Sequence, residues 1–220
     1  MRYQLLGGCI KMSVTARKER KEVVLIEDKG NKEGLHTEKN KWFADHDIAV
    51  IRLPLPVGDY ILCSDAVSNV IERKKKRGID VKKMDFLGSY NVSVDTKKDM
   101  QEICGNVCGP QHARFRDECI LAQNNAIKLY VLVENTDGVT SIEDVFRWQN
   151  PRLHRYNKIK YMHSIGKWQT TQLPKLPPTS GQTLAKALLT MQKKYGVEFL
   201  FCKPSEAGEK ILSLLSEEEK

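Results

Sequence analysis

No apolar run in the 220 residues approaches the ~20 that a membrane-spanning helix needs, so no span is expected. The stretch Leu5 to Ile10 is too short for a secretory apolar region, and no small-residue cleavage site follows it. The six cysteines, at 9, 63, 104, 108, 119 and 202, include no CxxC pair. This reads as a cytoplasmic chain with free thiols. Cys104, Cys108 and His112 are spaced i, i+4, i+8, but finger-type knuckles are missing, so buried thiols are favoured over zinc. No internal repeat is present. The most informative absence is acidic. From Val145 to Val197, 53 residues contain ten Lys or Arg and not one Asp or Glu.

What is present is an ordinary globular composition, 40% hydrophobic, with a net charge of +8. Disorder is excluded for the chain as a whole, and an anionic partner is favoured. Residues 1–21 form a basic arm expected to be disordered, and 217–220 a frayed tail. Between them, 22–216 reads as a single α/β domain. Strands are predicted at Val23–Ile26, Ile48–Leu53, Val57–Leu62, Asn91–Asp95, Lys128–Glu134 and Val197–Cys202. Helices are predicted at Leu35–His46, across Asp99–Asn124 with a break at Gly109-Pro110, at Ser141–Trp148, from Ser180 to Tyr195, and at Ser205–Leu215. Residues 64–90 read as a basic hairpin, and 149–178, with four prolines, as a basic loop. Strands alternating with helices imply a mixed central sheet flanked by helices.

Three acids fall at or near predicted strand ends: Asp28, Asp59 and Asp95. Lys97 follows Asp95 by two residues, so strand alternation puts both on one face. Two carboxylates from different strands can hold Mg²⁺ or Mn²⁺, and the Thr96 carbonyl can add a ligand. A lysine beside them can activate or orient a water for attack on a phosphodiester. Taken alone, D-x-K is also a common surface ion pair.

The segment Val57-Gly58-Asp59-Tyr60-Ile61-Leu62 resembles the G-D-Y element of the XPF-type (ERCC4 domain) structure-specific nuclease. Val24-Leu25-Ile26-Glu27-Asp28 is similar to that family's opening strand. The helix around Leu184–Leu189, Tyr195-Gly196 and the strand Val197–Phe201 resemble its end. The resemblance implies a restriction-endonuclease-like fold, divalent-metal endonuclease activity on branched or flapped DNA, and a role in DNA repair. Two segments compete for the family's E-R-K strand. Glu72-Arg73-Lys74 matches literally but runs into a further basic stretch. Asp95-Thr96-Lys97 ends an alternating strand that leads straight into a helix, as in the family, and is the assignment made here. Asp28, Asp59, Asp95 and Lys97 are then the catalytic candidates. Asp59, Asp95 and Thr96 are the metal candidates, with Glu72 and Lys74 as the alternative.

DNA contacts are expected from Arg73, Lys74, Lys75, Lys76, Arg114 and Arg116, and from Arg152, Arg155, Lys158, Lys160 and Lys167. Aromatics interleaved with these cations can stack on unpaired bases. No G-x-G hairpin pair is found, so a stand-alone form of bacterial or phage type is expected. It would act as a homodimer or with a partner that carries helix-hairpin-helix elements. A catalytically silent DNA-binding or scaffold subunit, and a nuclease of the wider D-(D/E)xK group, are the other readings.

Overall fold

Strand β5 (Lys128–Glu134) fixes the centre, because six of its seven residues are buried. A strand apolar on both faces must be covered on both. The computed structural model describes residues 23–216; the basic arm and the tail lie outside them. The sheet has six strands in the order β2 (Ala49–Leu53), β1 (Val24–Asp28), β3 (Tyr60–Leu62), β4 (Val92–Lys97), β5, β6 (Glu198–Cys202). β1 pairs parallel with β2, and β4, β5 and β6 are mutually parallel. β3 runs antiparallel to both β1 and β4 and joins the two parallel groups.

One face of the sheet carries α3 (Met100–Cys108), α4 (His112–Asn124), α5 (Ile142–Arg147) and α7 (Gly181–Tyr195). Ile103, Phe115, Leu184 and Leu188 from these helices pack on Val131, Val133 and Phe199. On the same face, α2 (Asp65–Lys76) sets Val67 and Val70 against Ile26 and Ile61. The opposite face takes α1 (Thr37–Asp45) and α8 (Ala207–Ser216), whose Phe43, Ile211 and Leu215 cover Leu25, Tyr60, Val94 and Leu132. Caps set the helix ends as the sequence suggests. The Ser141 and Ser180 side chains accept from Asp144 N and Thr183 N, and Gly196, at φ 71°, closes α7.

Two expected loops are helices instead. Residues 64–90 are not a hairpin: Ser64 caps α2, and the basic run continues that helix. Val67 and Val70, three apart, take the core side, while Arg73, Lys75 and Lys76 are exposed. Cations in a last turn also suit the helix dipole. Within 149–178, Pro151–Ser164 forms α6, with Asn150 as N-cap and Pro151 in the first turn. Only Ile159 of α6 is fully buried, so the helix has no apolar stripe for periodicity to reveal.

Candidate active site

All six residues of β4 are buried, and alternation turns Asp95 and Lys97 toward α4. Asp95 Oδ2 lies 2.6 Å from Lys97 Nζ, a buried ion pair. Phe115 of α4 sits under the ammonium, with its ring centroid 5.3 Å away. Burial pushes the Asp95 carboxyl well above its usual range. Lys97 opposes that shift, and Asp59 and Glu118 add to it. Burial works against the Lys97 charge too, but Asp95, Asp59 and Glu118 outweigh it and hold the amine protonated above its ordinary value. Three carboxylates, from β3, β4 and α4, thus act on one ammonium.

Asp59 enters beside them from the start of β3. Its N–H donates to Val94 O at 2.9 Å. The turn before it needs Gly58, which sits at φ 72° and where a Cβ would lie 2.0 Å from Ser93 Oγ. Gly58 N donates to Glu118 Oε1 at 2.9 Å, which ties α4 to the turn. Asp59 Oδ2 accepts from Thr96 N at 2.8 Å and Thr96 Oγ1 at 2.6 Å, while Oδ1 accepts from Asn31 Nδ2 at 2.8 Å. The Thr96 side chain therefore orients Asp59. Asp28 Oδ1 accepts from Leu55 N and Gly30 N, and Oδ2 lies 3.8 Å from Lys83 Nζ. Asp28 clamps two loops at the rim of a cavity of about 520 Å³ that Asp59, Asp95, Thr96 and Lys97 also line.

On the far face of the sheet a buried chain reaches the same carboxylate. His36 Nδ1 lies 3.2 Å from Glu27 Oε1, and Nε2 lies 3.3 Å from Thr96 Oγ1. Asn40 Nδ2 donates to Glu27 Oε2 at 2.8 Å. Burial lowers the His36 pKa, against the pull of Asp59 and Glu27. Sequence reasoning missed both His36 and Glu118. Glu118 had one available signal, its position three residues after the core residue Phe115 on a helix beside the D-x-K strand. His36 had none, because the residues joined to it are distant in sequence.

The other expected residues divide. Arg114 lines the cavity, and so does Glu102, in the first turn of α3. Glu102 Oε2 accepts from Lys98 N, and its own N–H donates to the cap Asp99. Arg116 turns away to pair with Asp117 at 2.8 Å. Glu72 is exposed on α2, 3.7 Å from Lys76, and Lys74 pairs with Asp85 at 2.7 Å. Neither lines the cavity, so the alternative E-R-K segment lies apart from Asp59. Arg152, Arg155, Lys158 and Lys160 are exposed on α6, and Lys167 just beyond it. Glu134 is paired with Lys39. Cys104 and Cys108 lie on α3, while His112 starts α4.

A family model of the ERCC4 domain matches residues 26–215. The chain belongs to the ERCC4 domain family. Members of that family are usually nucleases and generally depend on divalent metal. In this ERCC4 domain, Gly58-Asp59-Tyr60 leads into β3 and Asp95-Thr96-Lys97 ends the adjacent β4, with Tyr60 paired to Val94. No curated protein matches the chain. Among solved structures it is similar to XPF from Aeropyrum pernix, at 14% identity and a TM-score of 0.47, over 87% of this chain and 59% of that one. It is also similar to XPF from Aeropyrum pernix in a complex with DNA, at 14% identity and a TM-score of 0.46, over 88% and 63%. The chain thus spans less than two thirds of the length of either.

The donor chemistry of this ERCC4 domain fits a hard cation. Asp59 and Asp95 offer carboxylate oxygens to one cavity, with Lys97 Nζ 2.6 Å from Asp95 Oδ2. No group of three or more His, Cys, Asp or Glu able to hold a metal is found among the described residues. A cation there would rest on Asp59 and Asp95, with water completing its shell, as Mg²⁺ commonly does.

Proposed function

We propose that residues 22–216 form a Mg²⁺- or Mn²⁺-dependent endonuclease domain that hydrolyses phosphodiester bonds in branched or flapped DNA. The observation that carries the reading is the meeting of Asp59, Asp95 and Lys97 at one cavity. Asp59 and Asp95 would hold the ion, which when bound polarises the phosphoryl oxygen and lowers the pKa of a water. Thr96 fixes the Asp59 carboxylate through two hydrogen bonds to Oδ2. Lys97 Nζ, beside Asp95, would donate to the attacking water or to a phosphate oxygen. Asp28 keeps the loops at the rim in place. The DNA backbone would run past Arg114 toward the cations of α6, with Arg73, Lys75 and Lys76 of α2 as outer contacts. Pairing of two domains, or of one with a helix-hairpin-helix partner, would extend that surface.

A second reading, a silent DNA-binding scaffold, is favoured by one observation: both oxygens of Asp59 are already engaged by Thr96 and Asn31. Labelled flap, fork and linear duplex incubated with Mg²⁺, Mn²⁺ or EDTA separate the two. Cleavage that needs metal is expected, at least ~100-fold weaker in Asp95→Ala and Lys97→Ala and little changed in Glu72→Ala. Tight binding with no cleavage would establish the scaffold. Loss in Glu72→Ala alone would move the active strand.

A further inference from the structure

The turn after α6 is built around one aromatic residue. Trp168 has φ 54°, a left-handed conformation that a bulky L-residue rarely adopts. It is held there from several sides. Trp168 O lies 2.8 Å from His163 Nε2 and accepts from Thr171 N at 2.9 Å. Lys167 N donates to Met162 O, and Gln169 Nε2 to His163 O. The outcome is a tryptophan 45% exposed, with Lys158 Nζ 5.6 Å from its ring centroid. Beside it is a slot of about 360 Å³ lined by Arg155, Lys158, Ile159, Trp168 and Thr171. The slot combines a π-face, an apolar floor and two cations, within the long segment that contains no acid.

We propose that this slot binds an unpaired nucleotide of a DNA strand, with the base on Trp168 and the phosphates on Arg155 and Lys158. In duplex DNA both faces of each base are already stacked, so a flat aromatic has use only for a strand that has left the helix. The slot is also tied to the proposed active strand. Asn150, the cap of α6, accepts from Arg152 N and from Gln101 Nε2, and Gln101 stands four residues beyond Lys97. This inference rests on the endonuclease reading and adds the part of the substrate that is single-stranded.

Anisotropy titrations of the whole chain in EDTA test it, with a flapped duplex, a blunt duplex of equal paired length and an acidic peptide as probes. Trp168→Ala is expected to weaken the flap by ~5–150-fold, leave the blunt duplex within about twofold, and be largely rescued by Trp168→Phe. Arg155→Ala should likewise weaken the flap more than the blunt duplex. Equal losses on both DNAs, no loss on either, or binding of the peptide in place of the flap would overturn the proposal. The two readings fail separately. A missing cleavage activity with the selective Trp168 loss intact condemns only the nuclease. Cleavage without that selectivity condemns only the slot.

Discussion

Thr96 is the residue on which both faces of the sheet meet. Its hydroxyl bridges His36, from the far face, to Asp59 at the cavity. Partners that orient a ligating carboxylate commonly matter ~10–100-fold in activity or metal affinity without touching substrate. Thr96→Val keeps the volume and removes the hydroxyl, so metal-dependent cleavage is expected to fall by about that factor while DNA affinity in EDTA stays level. Steady-state kinetics and Mn²⁺ titration would read it, and equal losses of kcat and DNA affinity would contradict the role. The sequence makes Asp59, Asp95 and Lys97 legible as chemistry, because types and spacing are local facts. It does not disclose which further carboxylates surround the lysine, since Asp59 and Glu118 are brought in by β3 and α4.

Helices here form by two routes, and the routes differ in how readable they are. α7 follows the familiar one: a Ser180 cap, buried Leu184, Leu188 and Met191, and a Gly196 stop. α5 follows it too, with Asp144 sealing its first turn by accepting from Thr140 N and Thr140 Oγ1. Those bonds, the side-chain one first, hold the Asp144 carboxyl below its usual range. A folded pKa below the unfolded one gives stability that is present above the unfolded value and lost as pH falls through the folded one. Asp144→Asn should therefore melt below wild type at neutral pH, with the gap closing as pH falls through and below the ordinary carboxylate range. A gap that widens in acid would refute the assignment. α6 takes the other route. It lacks an apolar stripe and rests on the Asn150 cap, Pro151 and the tie to Gln101. The Asn-Pro pair was the available signal, and the prolines further along hid it.

Across the whole molecule the +8 charge is unevenly placed. Residues 22–144 carry a net −4 and 145–197 a net +10. Folding sets the carboxylates of the first part in a cavity and the cations of α6 on the exterior. DNA affinity should then fall steeply with salt. Replacing Arg152, Arg155, Lys158 and Lys160 together by Ala should flatten the slope of log Kd against log salt by up to ~4, at ~0.9 per phosphate contact. An unchanged slope would place the DNA elsewhere.

The strands, most helix caps and the D-x-K pair were determined by the sequence alone, because each rests on neighbours within a few positions: alternation, a capping side chain, a glycine stop. Only the tertiary structure decided that Gly58 meets Glu118 across 60 positions and that Thr96 meets Asp59 across 37. It also decided that Glu72 faces solvent. The electrostatics of the site come from those long-range meetings, since the charge state of a buried group depends on desolvation and on partners that only the folded chain assembles.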